Sequence, residues 1–182
     1  GVFDACENFV RANDWSPRTA TASLLAAEIR EFSRGFPKHD AVTGLTLDGT
    51  VAVGWGLEPG ETSIGDIDDL DDLDGMRFTF TGDNIQTLEL AGPINASGNQ
   101  VPQYVTTVTD AASGVEFTFG WEQRVTVEKV DPFDYAQVRD DAYVTANADI
   151  DEFPVRVTVT VLYQDLLDAE PREVTSISWI VP

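Results

Sequence analysis

Residues 155–163 read VRVTVTVLY, and this stretch limits the fold more than any other in the chain. Extended, it places Val155, Val157, Val159, Val161 and Tyr163 on one side and Arg156, Thr158 and Thr160 on the other. A period of two with one wholly apolar face describes a strand of an antiparallel sheet covered on that face alone. Such a strand needs neighbours. The segment EVTSISWIV (173–181) reads as its hairpin partner, and VEFTFGWEQRVTVEKV (115–130) as a third strand. In the third, Phe117, Phe119, Trp121, Val125 and Val127 alternate inward, and Gly120 reads as a bulge.

The covering layer is predicted upstream. In WSPRTATASLLAAEIREFSRGFP, Leu25, Ile29, Phe32 and Phe36 recur at helical spacing, a stripe that faces apolar surface. Ser16 is placed to cap this helix, Pro17 to occupy its first turn, and Gly35 with Pro37 to end it. Residues 1–14 read as a lead-in segment, with Phe3, Cys6, Phe9 and Val10 sharing a face if helical, and 15–182 as one domain. Short strands are expected around the Asp48-Gly49 turn and on either side of Gly82-Asp83-Asn84, and irregular chain at GPINASGNQVPQ. Residues 131–154 read as a long acidic loop, the best candidate for a recognition surface. The expected class is α+β: one N-terminal amphipathic helix packed on an antiparallel β-sheet with long loops.

Composition removes several functions. Eleven Lys and Arg against 32 Asp and Glu give a net charge of −21, the opposite of a phosphate-tracking surface, so no nucleic-acid partner is expected. One cysteine (Cys6) and one histidine (His39) leave no thiolate cage and no multi-histidine zinc site. Any Ser-His-Asp scheme would rest on His39, read here as an exposed loop residue. No apolar run approaches the ~20 residues that span a bilayer. Trp15, Trp55, Trp121 and Trp179 are expected to pack rather than to form a carbohydrate platform.

The densest chemical feature is IGDIDDLDDLDGM, in which Asp66, Asp68, Asp69, Asp71, Asp72 and Asp74 fall within nine residues. An EF-hand register fails. Starting at Asp66 places Leu70 at position 5 and Asp71 where glycine is needed, and setting Gly75 at that glycine places Leu70 at position 1. A structural turn accounts for more: Ile67, Leu70, Leu73 and Met76 recur every third residue, so tight helical turns bury all four and leave the aspartates in water. The six aspartates stand as candidate calcium ligands on charge alone. No acid–base pair with separated environments is legible, and no enzymatic activity is expected.

The motif order adds a resemblance. GLEPGET, DIDDLDDLDGM, GPINASGNQVP, GWEQRVTVEKVDP and VRVTVTVLY follow the helix in that order. The chain from about residue 20 onward resembles the globular region of minor type IV pilins and pseudopilins, including the D-type minor pilins of mannose-sensitive haemagglutinin pili. The matching positions are Asp68, Asp69, Leu70, Asp71, Asp72 and Gly75; Gly120, Trp121, Val125 to Val127 and Asp131-Pro132; and Val155 to Tyr163. The resemblance implies a pilin-like fold without cofactor and a structural or assembly role in a bacterial type IV pilus or type II secretion system. Its partners would be other pilin subunits, at the extracellular or periplasmic face of the inner membrane. Pilins begin with a peptidase site and an apolar membrane helix. Here that helix is expected to be missing, with Trp15-Ser16-Pro17 breaking any continuous one. The alternative from residues alone is a secreted calcium- or carbohydrate-binding β-rich module.

Overall fold

The computed structural model describes the backbone of residues 2–182 and the side chains from Pro17 onward. Helix α1 spans Val2–Phe32 without interruption and carries Pro17 inside it. The expected break at Trp15-Ser16-Pro17 is therefore overturned, and with it the Ser16 cap. Proline lacks one N–H but its fixed φ is helical, so a helix tied down by packing further along absorbs it. The side chains of Phe3, Cys6, Phe9, Val10, Trp15 and Ser16 lie outside the described residues. Along the next turns Ala22, Leu25, Ala26 and Ile29 are fully buried. Phe32 and Phe36 cover the core's edge with their rings 5.4 Å apart, edge to face. Gly35, at φ +91°, then turns the chain away.

Strands β1 (Thr46–Asp48) and β2 (Val51–Val53) form a separate hairpin around Gly49, as the Asp-Gly pair predicts. The main sheet comprises β3 (Arg77–Thr79), β4 (Glu89–Ala91), β5 (Val105–Thr109), β6 (Glu116–Asp131), β7 (Asp134–Val138), β8 (Val155–Gln164) and β9 (Arg172–Val181). Its order is β4-β3-β6-β8-β9, with β5 and β7 pairing elsewhere along β6. The described chain is thus α+β, one helix with a mostly antiparallel sheet. The exception is β3–β4, which run parallel. Between them a 3-10 turn over Ile85–Thr87 is capped by Asn84, which accepts from Gln86 N at 3.0 Å, and Leu88 reverses the chain at φ +59°.

Strand β8 behaves as its alternation requires. Val155, Val157, Val159 and Val161 are fully buried against α1. On the outer face Thr158 and Thr160 meet Ser178 and Ser176 of β9 at 3.1 and 3.4 Å, and Arg156 donates to Glu128 at 2.7 Å. Gly120 is not a bulge: the β6–β8 register runs unbroken from Gly120 to Lys129. It marks instead a close approach by β5, where a Cβ would lie 2.3 Å from the Tyr104 carbonyl oxygen. Phe117, beyond that crossing, is exposed rather than inward. Residues 131–154 are not all loop, since β7 pairs back onto β6. Both lysines of the chain secure this excursion by its carbonyls: Lys38 Nζ donates to Phe153 O at 3.0 Å and the buried Lys129 to Asp141 O.

The helix and sheet are also joined by a buried amide. Gln123 on β6 donates to Leu25 O of α1 at 2.8 Å and to Ile94 O at 3.0 Å, and accepts from Ile94 N at 2.7 Å. Arg18 ties the middle of α1 to the end of β8, bonding Asp165 at 3.0 Å with its guanidinium 4.4 Å from the Tyr163 ring centre.

Candidate functional site

The aspartate stretch folds as its threefold apolar spacing predicts. Ile67, Leu70, Leu73 and Met76 are buried in the core, a 3-10 turn covers Asp71–Leu73, and Gly75 at φ +77° ends it. Backbone bonds pin the turn on two sides: Leu70 N to Pro37 O at 3.0 Å, and Gly75 N to Val125 O at 3.1 Å. With the turn fixed so tightly, its polar side chains have little choice of direction.

The aspartates do not all reach water, contrary to expectation. Asp69, Asp71 and Asp72 are fully buried, whereas Asp66 and Asp68 are exposed. A three-residue helical repeat can hide only one face, but the chain at 54–61 folds over the opposite face and closes it. Gly56 N donates to Asp71 Oδ1 at 3.0 Å, and Glu58 enters the same space. One ligand atom each from Glu58, Asp69, Asp71 and Asp72 lies within 4.8 Å of the others. A second group, Glu61, Asp68 and Asp72, shares Asp72 and meets the same limit. Asp69 Oδ1 accepts from Asp72 N at 3.1 Å and Asp72 Oδ2 from Asp68 N at 3.2 Å. That leaves Asp69 Oδ2, Asp72 Oδ1 and both oxygens of Glu58 buried without a hydrogen-bond partner.

Like charges this close repel by roughly 3–4 kcal/mol per pair at an effective dielectric constant near 20. Burial, reinforced by the Asp71 charge, pushes the Asp69 carboxyl up to about 7. Burial also raises Asp71 to about 7, against the Gly56 N–H that favours its charged form. Glu58 rises to about 8 through burial and then the charges of Asp72 and Asp69. Asp72 and Glu61 are raised as well, burial again first.

His39 corrects the sequence reading too. It is buried, its Nδ1 faces Asp71 Oδ2, and its ring centre lies 5.6 Å from that of Trp55. Burial, helped by Lys38, holds its pKa down to about 4, so near neutrality the imidazole is uncharged and Nδ1 and Asp71 Oδ2 share one proton, the tautomer deciding which of them donates. Its Nε2 is buried without a partner.

Of the six predicted ligands, the structure brings together Asp69, Asp71 and Asp72, with Asp68 at the margin. Asp66 instead closes a local turn, accepting from Ser63 N at 2.9 Å and Thr62 N at 3.0 Å. Asp74 fastens loop to sheet through Val127 N at 2.9 Å and Trp55 Nε1 at 3.2 Å. Neither belongs to the cluster. Glu58 and Glu61 do, and sequence reasoning missed them because they stand outside the acidic run. The signal available was the Glu-Pro-Gly-Glu turn, which sets two acids on one tight bend. No protein family, no curated protein and no solved structure matches this chain.

Proposed function

We propose that this chain is a non-enzymatic structural subunit, the pilin-like head of a bacterial type IV pilus or type II secretion pseudopilus component. The observation that carries the proposal is the helix. α1 runs continuously over 31 residues, and Ala22, Leu25, Ala26 and Ile29 in its later turns bury against the sheet. A pilin helix serves its head in the same way. The order of the motifs, from the acidic turn through the GW strand to the VTVTV hairpin, supports the same reading. Among the described residues no helix is long and apolar enough to cross a membrane, so membrane attachment in this proposal rests on an apolar segment other than α1 as it stands here.

A non-enzymatic role agrees with the site. In support, Asp69, Asp71, Asp72 and His39 are buried rather than set on an open cleft. The second reading, a calcium-binding module, is favoured by the unpartnered buried oxygens, and the two roles are compatible in one subunit. The test of the first is localisation. Antibody raised against this domain should detect the protein in filaments sheared from the surface of native cells, or in the membrane fraction that assembles them. Recovery only in the cytosol would overturn it.

A further inference from the structure

We propose that Glu58, Asp69, Asp71 and Asp72 bind a hard divalent cation, with calcium as the natural occupant. Clustered carboxylates alone would not establish this, since the outer acids of this chain are solvated. The distinguishing observation is that Asp69 and Asp72 are fully buried and that each has one oxygen engaged and the other free. In each case a backbone N–H holds the engaged oxygen, at 3.1 Å for Asp69 and 3.2 Å for Asp72, which fixes the orientation of its twin. Both Glu58 oxygens are equally unpartnered and buried. Buried polar atoms in folded proteins nearly always have partners, and four orphan carboxylate oxygens from three side chains of one cluster point to a shared one.

Size and chemistry select the ion. The four ligand atoms lie within 4.8 Å of one another, and opposite oxygens of a calcium sphere are about 4.6–5.2 Å apart. The donors are carboxylate oxygens with no thiolate, which excludes soft-metal preference. With both oxygens free, Glu58 can chelate in the two-oxygen mode that calcium favours. His39 orients Asp71 from behind, as outer partners of ligating groups do. Asp68, exposed and sharing the second group with Asp72, sets one carboxylate at the outer edge of the site. A bound ion would join the 54–61 chain to the 3-10 turn that floors the core. This site stands whether or not the chain assembles into filaments.

The test uses chelator-stripped protein at constant ionic strength. Titration with CaCl2 should give a saturable calorimetric isotherm. The melting temperature should rise by roughly 5–10 °C at a hundredfold excess over the dissociation constant. Terbium, a calcium surrogate, should luminesce on tryptophan excitation, because Trp55 adjoins Asp74 and His39. Trp55→Phe should remove that emission while leaving calcium binding intact. Glu58→Gln, on a half-buried loop residue, should weaken calcium binding by about tenfold or more, and Asp48→Asn on the outer hairpin should not. Absence of binding heat, with no melting shift beyond that of matched NaCl, would overturn the proposal. So would affinity unchanged in both Glu58→Gln and Asp72→Asn.

Discussion

Without a cation, the buried acids make stability fall as pH rises through the weakly acidic range. Asp69 and Asp71, raised to about 7, keep their protons in the native state over a window where the unfolded chain has released them. Their contribution is fully present below the ordinary carboxylate value and is lost as pH climbs towards 7. His39 opposes them. Its value is lowered to about 4, so over the same window the unfolded imidazole binds a proton that the native one refuses. Between pH 5 and 6.5 two protons held against one excluded leave a net native excess of about one. The slope is then about −1.4 kcal/mol per pH unit, a loss of about 2 kcal/mol across the window. Glu58, raised to about 8, adds in the same direction. The assay is urea unfolding in EDTA, followed by tryptophan fluorescence at half-unit pH steps. Stability that instead rises steadily from pH 5 to 6.5 would show that these acids ionise in the native state without cost, and the linkage reasoning would be wrong.

Two substitutions probe the frame around the site. Gln123→Met keeps the side-chain volume but strands Ile94 O and Ile94 N in the core and cuts the extra bond to the helical Leu25 O, and should destabilise by about 2–4 kcal/mol in the same unfolding assay. A loss under 1 kcal/mol would mean the amide does not join helix to sheet. Leu73→Asn places an amide at a fully buried position and should cost at least about 3 kcal/mol, seen as a melting temperature lower by several degrees. A tolerated Leu73→Asn would refute the buried turn.

The parts of the fold legible in sequence are those where one periodicity governs. The Val155–Tyr163 alternation, its Val174–Val181 return, the Leu25–Ile29 stripe and the threefold Ile67–Met76 spacing all take the expected places. What was not legible depends on contacts distant in the chain. Pro17 reads locally as a helix start, and only the continuous α1 shows it mid-helix. The parallel β3–β4 pairing requires a 3-10 turn that the Gly82-Asp83-Asn84 signal does not foretell. Asp69, Asp71 and Asp72 read as solvated because their burial is imposed by the chain around Gly56 and Glu58, more than ten positions upstream. Glu58 and His39 were missed for the same reason: neither lies near the aspartates until the chain closes.

The most direct test of the central claim, that the acidic turn is organised around a cation, is a crystal structure of the protein grown in calcium. The account predicts one strong density peak about 2.3–2.6 Å from oxygens of Glu58, Asp69, Asp71 and Asp72, weakened in Glu58→Gln crystals. Carboxyl groups bonded only to one another or to water in those calcium-grown crystals would contradict it.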